Sequence, residues 1–274
     1  MEFFEYIWVF SVIERKMKDK ILDWLKKTGY PLELFGESIL SEKGFQIVNS
    51  LIYTDYENKS QREIDLLANL NVAKDNIELD IYLLIECKKT DKPLILLVTD
   101  DFSTDSISIN GYANSNNPNY KIPFSEDLKI KLPGRYSFGF KVIQAFTDGD
   151  EFIHRAANTL LKSIIDYSFQ KENSLNFNIE NNIHSFAMPI LLVDAPLLKL
   201  NLDKQNEMQL EEIDSCILEF RNQVSDSPLY FEIPIIRKEF FREFCNNFEN
   251  LPTSILNFLI ANPDFQIKNQ TRLE

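Results

Sequence analysis

Histidine is almost missing from this chain: His154 and His184 are its 2 copies. A zinc site built on imidazoles, or a histidine proton relay, has little to draw on. Glycine is also sparse, at 7 residues. No glycine-rich phosphate loop of the nucleotide-binding kinds occurs, and no Gly-x-Ser-x-Gly elbow. The 3 cysteines, Cys87, Cys216 and Cys245, are odd in number and unclustered. They argue against a disulfide framework or a zinc site and for a reducing compartment. Positive charge is in deficit: 29 Lys and Arg stand against 42 Asp and Glu, a net charge of −13. Such an excess is unfavourable for a protein that grips a polyanion over a broad surface. The deficit is uneven, because between Asp203 and Glu249 11 acidic residues face 5 basic ones, a net −6. Local phosphate binding elsewhere stays compatible with this distribution; extended wrapping of DNA does not.

Apolar material, by contrast, is plentiful. With 274 residues, 44% hydrophobic and 22 Phe, the chain is long for one domain, not clearly two, and ample for a packed core. The apolar stretch Phe3–Ile13 raises the question of a signal peptide. Glu2 and Glu5 stand where a basic region should be, no small-residue cleavage site follows, and the stretch is too short to span a bilayer. A cytoplasmic protein with no membrane partner is the expectation. Residues 1–27 read as an N-terminal helical extension, with Ile21, Leu22, Trp24 and Leu25 among lysines as an amphipathic helix. Gly29 ends it and Pro31 opens the next helix. That next helix, over residues 31–43, carries Leu32, Phe35, Ile39 and Leu40 on one face and the carboxylates Glu33 and Glu37 off it.

The organising stretch is residues 62–98. It runs from Arg62-Glu-Ile-Asp65 through a polar segment to Ile85-Glu-Cys-Lys88, then to Leu94–Val98. Ile81–Ile85 is a continuous apolar run suited to a buried strand. Side chains alternate along a strand, so Glu86 and Lys88 share a face and Cys87 points to the other. Charges at the end of a buried strand are costly unless compensated. A divalent cation held by Asp65 and Glu86, with Lys88 beside it, supplies that compensation; a plain same-face ion pair is the other reading.

At these residues the chain resembles microbial members of the PD-(D/E)xK nuclease superfamily, which has the restriction-endonuclease-like fold. The family pattern is a helix carrying Glu, a strand, a second strand with Asp near its start, and a third strand ending in Glu-x-Lys. Glu33, Asp65, Glu86 and Lys88 stand at those positions, over a resemblance spanning residues 28–200; Ile64 replaces the family's Pro. The resemblance implies an α/β fold: a restriction-endonuclease-like core, its mixed central sheet flanked by helices. Residues 201–274 then form a C-terminal α+β extension of the same domain. It further implies a metal-dependent nuclease, an endonuclease hydrolysing phosphodiester bonds in DNA or in RNA, with restriction or phage defence as the role. Asp65, Glu86 and the backbone carbonyl of Cys87 would hold Mg²⁺ or Mn²⁺, with Glu33 binding directly or through water. The ion would polarise a phosphodiester oxygen and lower the pKa of a water. Lys88 would steady the charge that develops. Arg62, Lys89, Lys92 and Gln144 would contact the nucleic acid.

Elsewhere the pattern predicts strands over Phe45–Tyr53 and Arg62–Leu70, joined by a polar turn at Asp55–Gln61, with Asn71–Asp80 as the loop to the third strand. Leu94–Val98 either extends that strand or begins a new one. Residues 99–135 read as a long polar loop, in which Tyr112, Tyr120 and Tyr136 either stack on bases or pack the loop onto the body. A strand over Phe138–Phe146 follows, then an N-cap at Asp148–Asp150 and a long helix Glu151–Phe169. That helix offers His154, Arg155 and Lys162 as further phosphate or base contacts, with His154 reading rather as an ordinary surface helix residue. Met188–Val193, Cys216–Phe220 and Leu229–Ile236 read as strands, and Arg237–Phe248 and Leu251–Ile260 as helices.

The acid excess keeps a second function in view: an inactive nuclease-fold module that binds nucleic acid or a protein partner. A homodimer or a protein partner supplying the missing basic surface is a third arrangement.

Overall fold

A computed structural model of the chain describes residues 16–55, 57–75, 77–98, 103–108, 113–115, 129–147, 151–174, 182–224 and 227–261. It is a mixed α/β structure with two sheets. Helix α1 covers residues 16–25, and its side chains are largely exposed. Helix α2 (Tyr30–Glu42) follows, opened by Pro31 in its first turn. Three strands then form an antiparallel meander: β1 (Gln46–Thr54), β2 (Gln61–Lys74) and β3 (Ile77–Lys89).

The hairpin between β2 and β3 is tighter than the sequence suggested. Asn71–Asp80, expected as a loop, is mostly paired strand, turning at Asp75 with φ 50°. Asn71 holds the end of the ladder by donating to Glu78 at 2.8 Å and Asp80 at 2.9 Å. Such polar cross-strand pairs look like loop chemistry until their partners are known.

β3 is the centre of the molecule. It lies between β2 and β9 (Asn182–Asp194), parallel to the latter from Ile77↔Asn182 to Lys89↔Asp194. Both its faces are covered, which explains its continuous apolar run. Leu79, Ile81, Leu83, Ile85 and Cys87 join one core with α2, α4 (Lys238–Asn246) and α5 (Leu251–Ala261). Tyr82 and Leu84 join the other with α3 (Glu151–Ser174), through Ile153, Ala157, Leu160, Leu161 and Ile164. Each large aliphatic side chain buried in these layers contributes roughly 1.5–3 kcal/mol.

The C-terminal strands belong to the same sheet. β13 (Ser227–Arg237) runs parallel beside β9, β12 (Ser215–Val224) antiparallel beside β13, and β7 (Lys129–Gly139) parallel beside β12. The edge strand β5 (Ser103–Ser108) and the short β6 (Ala113–Ser115), paired to β9, complete nine strands. The expected loop over 99–135 therefore contains β5, β6 and the first half of β7. Their serine-rich or lysine-rich alternation was too polar to signal strand. Tyr136 is buried, and its burial pushes the hydroxyl up to about 12 against a hydrogen bond with Ser215, so it packs rather than stacks on bases. Tyr112, Tyr120 and the expected cap at Asp148–Asp150 lie outside the described residues.

A four-stranded second sheet grows out of the first. The parallel pair β3–β9 passes through Thr90–Pro93 and Ala195–Pro196 into a second parallel pair, β4 (Leu94–Leu97) and β10 (Leu197–Leu202). Thr90 N–H donates to the Asp194 carbonyl at 3.1 Å and Leu94 N–H to that of Pro196 at 2.8 Å, binding the crossing. β4 is thus a new strand rather than more of β3. Strand β8 (Lys141–Gln144) pairs β4, and β11 (Met208–Glu212) pairs β10. The expected single strand Phe138–Phe146 breaks at Phe140, where β7 leaves one sheet and β8 enters the other. No described helix is long and apolar enough to cross a membrane.

Candidate active site

The β2–β3 ladder stops at Leu66↔Ile85. Beyond it β2 stays with β1, through Leu51↔Ile64 to Thr54↔Gln61, while β3 stays with β9, through Glu86↔Leu191 to Lys89↔Asp194. The two strands part, and Asp65 and Glu86 stand at the fork. Leu66 and Ala68 point into one core but Ile64 into the other, so β2 turns over at Asp65. Facing this turn on β1, Ser50 has φ 53°, a left-handed conformation uncommon outside glycine, which kinks the edge strand there.

Asp65 fills the place of the lost ladder bond. Its Oδ2 accepts the Cys87 backbone N–H at 2.6 Å. Glu86 is buried at 6% exposure; its Oε1 accepts from Lys88 Nζ at 2.5 Å, and its Oε2 is buried with no hydrogen-bond partner among the described residues. As expected from strand alternation, Glu86 and Lys88 meet on one face.

The electrostatics bind these groups into one cluster. Burial pushes the Glu86 carboxyl up to about 7; Lys88 opposes the rise, and Asp65 and Glu33 add to it. Burial also raises Asp65, against the pull of the Cys87 amide and Lys88 and with Glu63 adding. Glu33, at the start of α2, is raised by burial, then by Asp65 and Glu63, with Lys88 lowering it. Glu37, the other helix carboxylate, instead accepts from Asn49 Nδ2 at 3.0 Å. The site therefore holds carboxylates that disfavour one another's charge, with Lys88 as the cation acting on all three. Among the described residues, no group of three or more His, Cys, Asp and Glu side chains is arranged to hold a metal ion. Glu33, Asp65 and Glu86 therefore do not close into a cage of three acids.

The residues expected on the nucleic acid are engaged within the protein. Arg62 Nε pairs with Asp55 Oδ2 at 2.9 Å, and Lys89 Nζ with Asp194 Oδ2 at 2.5 Å. Lys92 Nζ donates to the Phe146 carbonyl at 3.1 Å, and Gln144 Nε2 to Thr90 Oγ1 at 2.7 Å. Lys162 donates to Asp55 Oδ2 at 3.0 Å and Glu57 Oε2 at 2.5 Å. His154 is exposed, its ring 5.3 Å from that of Phe220. Asp55 is the residue that sequence reasoning missed. It is fully buried and joins Arg62 of β2 to Lys162 of α3 beside the fork. In the sequence it looked like the first residue of a polar turn, and no local signal marks it otherwise.

Family models, curated proteins and solved structures contain no match to this chain.

Proposed function

We propose that the chain is a metal-dependent phosphodiester hydrolase of the PD-(D/E)xK type, acting on nucleic acid at the fork between β2 and β3. The observation that carries this reading is the meeting of Asp65, Glu86 and Lys88 where the strands part. The order of elements supports it: a helix with Glu33, a strand, a strand with Asp65, and a strand ending in Glu86-Cys87-Lys88.

The residues fit a divalent cation. Glu86 Oε2 is a buried acceptor with no donor among the described residues, and burial, with the charges of Asp65 and Glu33 adding to it, raises the Glu86 carboxyl. Hard cations of the Mg²⁺ kind need only one or two protein carboxylates and keep several waters, so a cage of three acids is not required. Asp65, Glu86 and the Cys87 carbonyl would hold the ion, with Glu33 acting through water. When bound it would supply Lewis-acid polarisation of the phosphodiester and a more acidic water. Asp65 is pre-positioned by the Cys87 amide, so it keeps its orientation before substrate arrives. Lys88, released from Glu86 when that carboxylate is otherwise engaged, would neutralise charge on the phosphoryl oxygens. Glu86 is held in a water-poor fork where fixed charges act strongly.

The test is cleavage of supercoiled, linear and single-stranded DNA, and of RNA, with Mg²⁺ or Mn²⁺. Wild-type cleavage should fall roughly 10²-fold or more in both Asp65→Ala and Lys88→Ala.

A non-cutting nuclease-fold module is the second reading. The internal pairing of Arg62 and Lys89, together with the net charge of −13, favours it, since neither side chain is free to neutralise phosphate. Metal binding by calorimetry without cleavage of any substrate would select it.

A further inference from the structure

Four large apolar side chains stand in water together on helix α1: Met17 is 61% exposed, Ile21 49%, Leu22 53% and Trp24 60%. None of the four belongs to either core, and Leu25 beside them is only partly buried. At helical spacing Met17, Ile21, Trp24 and Leu25 form one stripe about 100° wide, with Leu22 next to it. The Lys26 N–H donates to the Leu22 carbonyl and the Lys27 N–H to that of Trp24, which carries the last turn on to Lys27. An amphipathic helix of a globular protein ordinarily turns such a stripe to the core, and this one does not.

The charges around the stripe select the surface it suits. Residues 16–27 carry five lysines and two aspartates, a net +3 in a chain of net −13. Lys16, Lys20 and Lys27 follow one another along one flank of the stripe, and none of the three has a carboxylate partner among the described residues. Asp19 and Asp23 lie on the opposite side of the helix, where Lys26 pairs with Asp23 at 3.1 Å. Apolar side chains and unpaired cations are thus offered to one side only. A planar anionic surface meets both at once. The apolar residues enter the boundary between headgroups and acyl chains, and the lysine stems lie along it with their ammoniums at the headgroups. An acidic protein groove would enclose the two aspartates as well, and a second copy would set +3 against +3. The sequence directly before α1 adds to the same chemistry: of the eleven residues Phe3–Ile13, one, Glu5, is charged.

We propose that α1 is a membrane-surface anchor, which lays the stripe of Met17, Ile21, Trp24 and Leu25 into an anionic bilayer and sets Lys16, Lys20 and Lys27 on the lipid headgroups. The helix lies on the bilayer and does not cross it. The acidic remainder of the chain is no obstacle, because exposed charges more than about 8 Å apart are largely screened at physiological ionic strength. Attachment through one short helix is reversible and weakens with salt. The proposal is independent of the hydrolase reading, since none of these residues belongs to the fork.

Vesicle flotation of the full chain tests it, with phosphatidylcholine alone against phosphatidylcholine holding about 30% phosphatidylserine. The expected result is flotation with the anionic vesicles, lost when salt is raised to about 0.5 M. Trp8 and Trp24 are the 2 tryptophans of the chain. In Trp8→Phe the remaining tryptophan emission comes from Trp24 and should shift to the blue on anionic vesicles. The triple variant Lys16→Gln/Lys20→Gln/Lys27→Gln should weaken partitioning about 100-fold, or about 5-fold per lysine. Ile21→Asp should abolish it. Both variants should keep the parent's melting temperature, because these side chains already stand in water. No flotation with anionic vesicles overturns the proposal. So does flotation that is equal on the two vesicle types or survives either variant. A blue shift that grows with protein concentration in the absence of lipid, with a doubled mass in sedimentation, overturns it in favour of a second copy. A shift with calmodulin, an acidic helix-binding protein, and none with vesicles overturns it in favour of a protein groove.

Discussion

The Asp65 carboxylate accepts the Cys87 backbone N–H at 2.6 Å, across the point where β2 and β3 separate. One side chain thus closes the ladder and faces the fork. Its two duties separate by substitution. Asp65→Asn keeps an oxygen for the Cys87 amide and removes a charge that raises Glu86; its stability should match the parent. Asp65→Ala leaves that amide without its acceptor and should cost about 1 kcal/mol. Hydrogen exchange at the Cys87 amide should stay slow in the first variant and speed up in the second, while both should lack the cleavage proposed for the parent. Equal exchange in the two variants would remove the structural duty.

Gly139 marks the junction where β7 ends and the chain turns into β8. A Cβ at this position would lie 2.4 Å from Leu96 Cδ1 and 2.6 Å from the Leu97 carbonyl oxygen. The backbone oxygen cannot swing aside as a side chain can. Gly139→Ala should therefore destabilise by about 2–3 kcal/mol through overpacking, read as a shifted midpoint in urea with an unchanged slope. Gly44, whose surroundings are open but whose φ is +86°, is the contrasting case: Gly44→Ala costs backbone strain alone, about 1 kcal/mol.

Strand β3 was legible because it is buried on both faces, which writes an unbroken apolar run into the sequence. The shared face of Glu86 and Lys88 followed from strand alternation alone. Strands β10 and β11 were not legible, since β10 gains its identity from β4, about a hundred positions earlier, and β11 is exposed along its whole length. The expected loop at 99–135 failed for the same reason: Ser103–Ser108 takes its strand form from the partner β7. At the site, residue types gave the acids and the lysine. They could not tell which other cations already have internal carboxylates, because Asp55 and Asp194 meet Arg62, Lys162 and Lys89 only through tertiary packing.

Asp55 tests that packing. Burial raises its carboxyl, but the Lys162 hydrogen bond, the Glu57 amide and the charges of Lys162 and Arg62 outweigh burial and hold it below the ordinary value. Asp55→Ala removes a buried acceptor shared by two cations, but Lys162 keeps Glu57 and Arg62 is half-exposed, so the cost should be about 1–2 kcal/mol. Because the folded carboxyl lies below its unfolded value, the stabilisation is present above the ordinary aspartate pKa and is lost as pH falls through the folded one. The gap in stability between parent and Asp55→Ala should therefore shrink in acid. A gap that is constant down to pH 3 would show that the ion pairs contribute nothing.

Glu86 has the opposite sign. Its folded carboxyl titrates at about 7, against 4.5 for the ordinary group. Between these values the native state keeps a proton that the unfolded chain has released, so stability is full below the lower value and falls as pH rises through the upper one. For the metal-free protein the loss from this group between pH 4.5 and pH 8 is on the order of 3 kcal/mol. Glu86→Gln is neutral in both states and should remove that part of the pH dependence, so parent and variant converge in mild acid and diverge at pH 8, with the variant the more stable. A divalent cation engages only the ionised carboxylate, so its binding should tighten with rising pH and restore the parent's stability at pH 8 while leaving Glu86→Gln unmoved. Thermal melts at pH 5 and pH 8, with and without Mn²⁺, give all four comparisons. Parallel pH profiles in parent and variant would place the Glu86 titration elsewhere, and with it the reason for this fork to attract a cation.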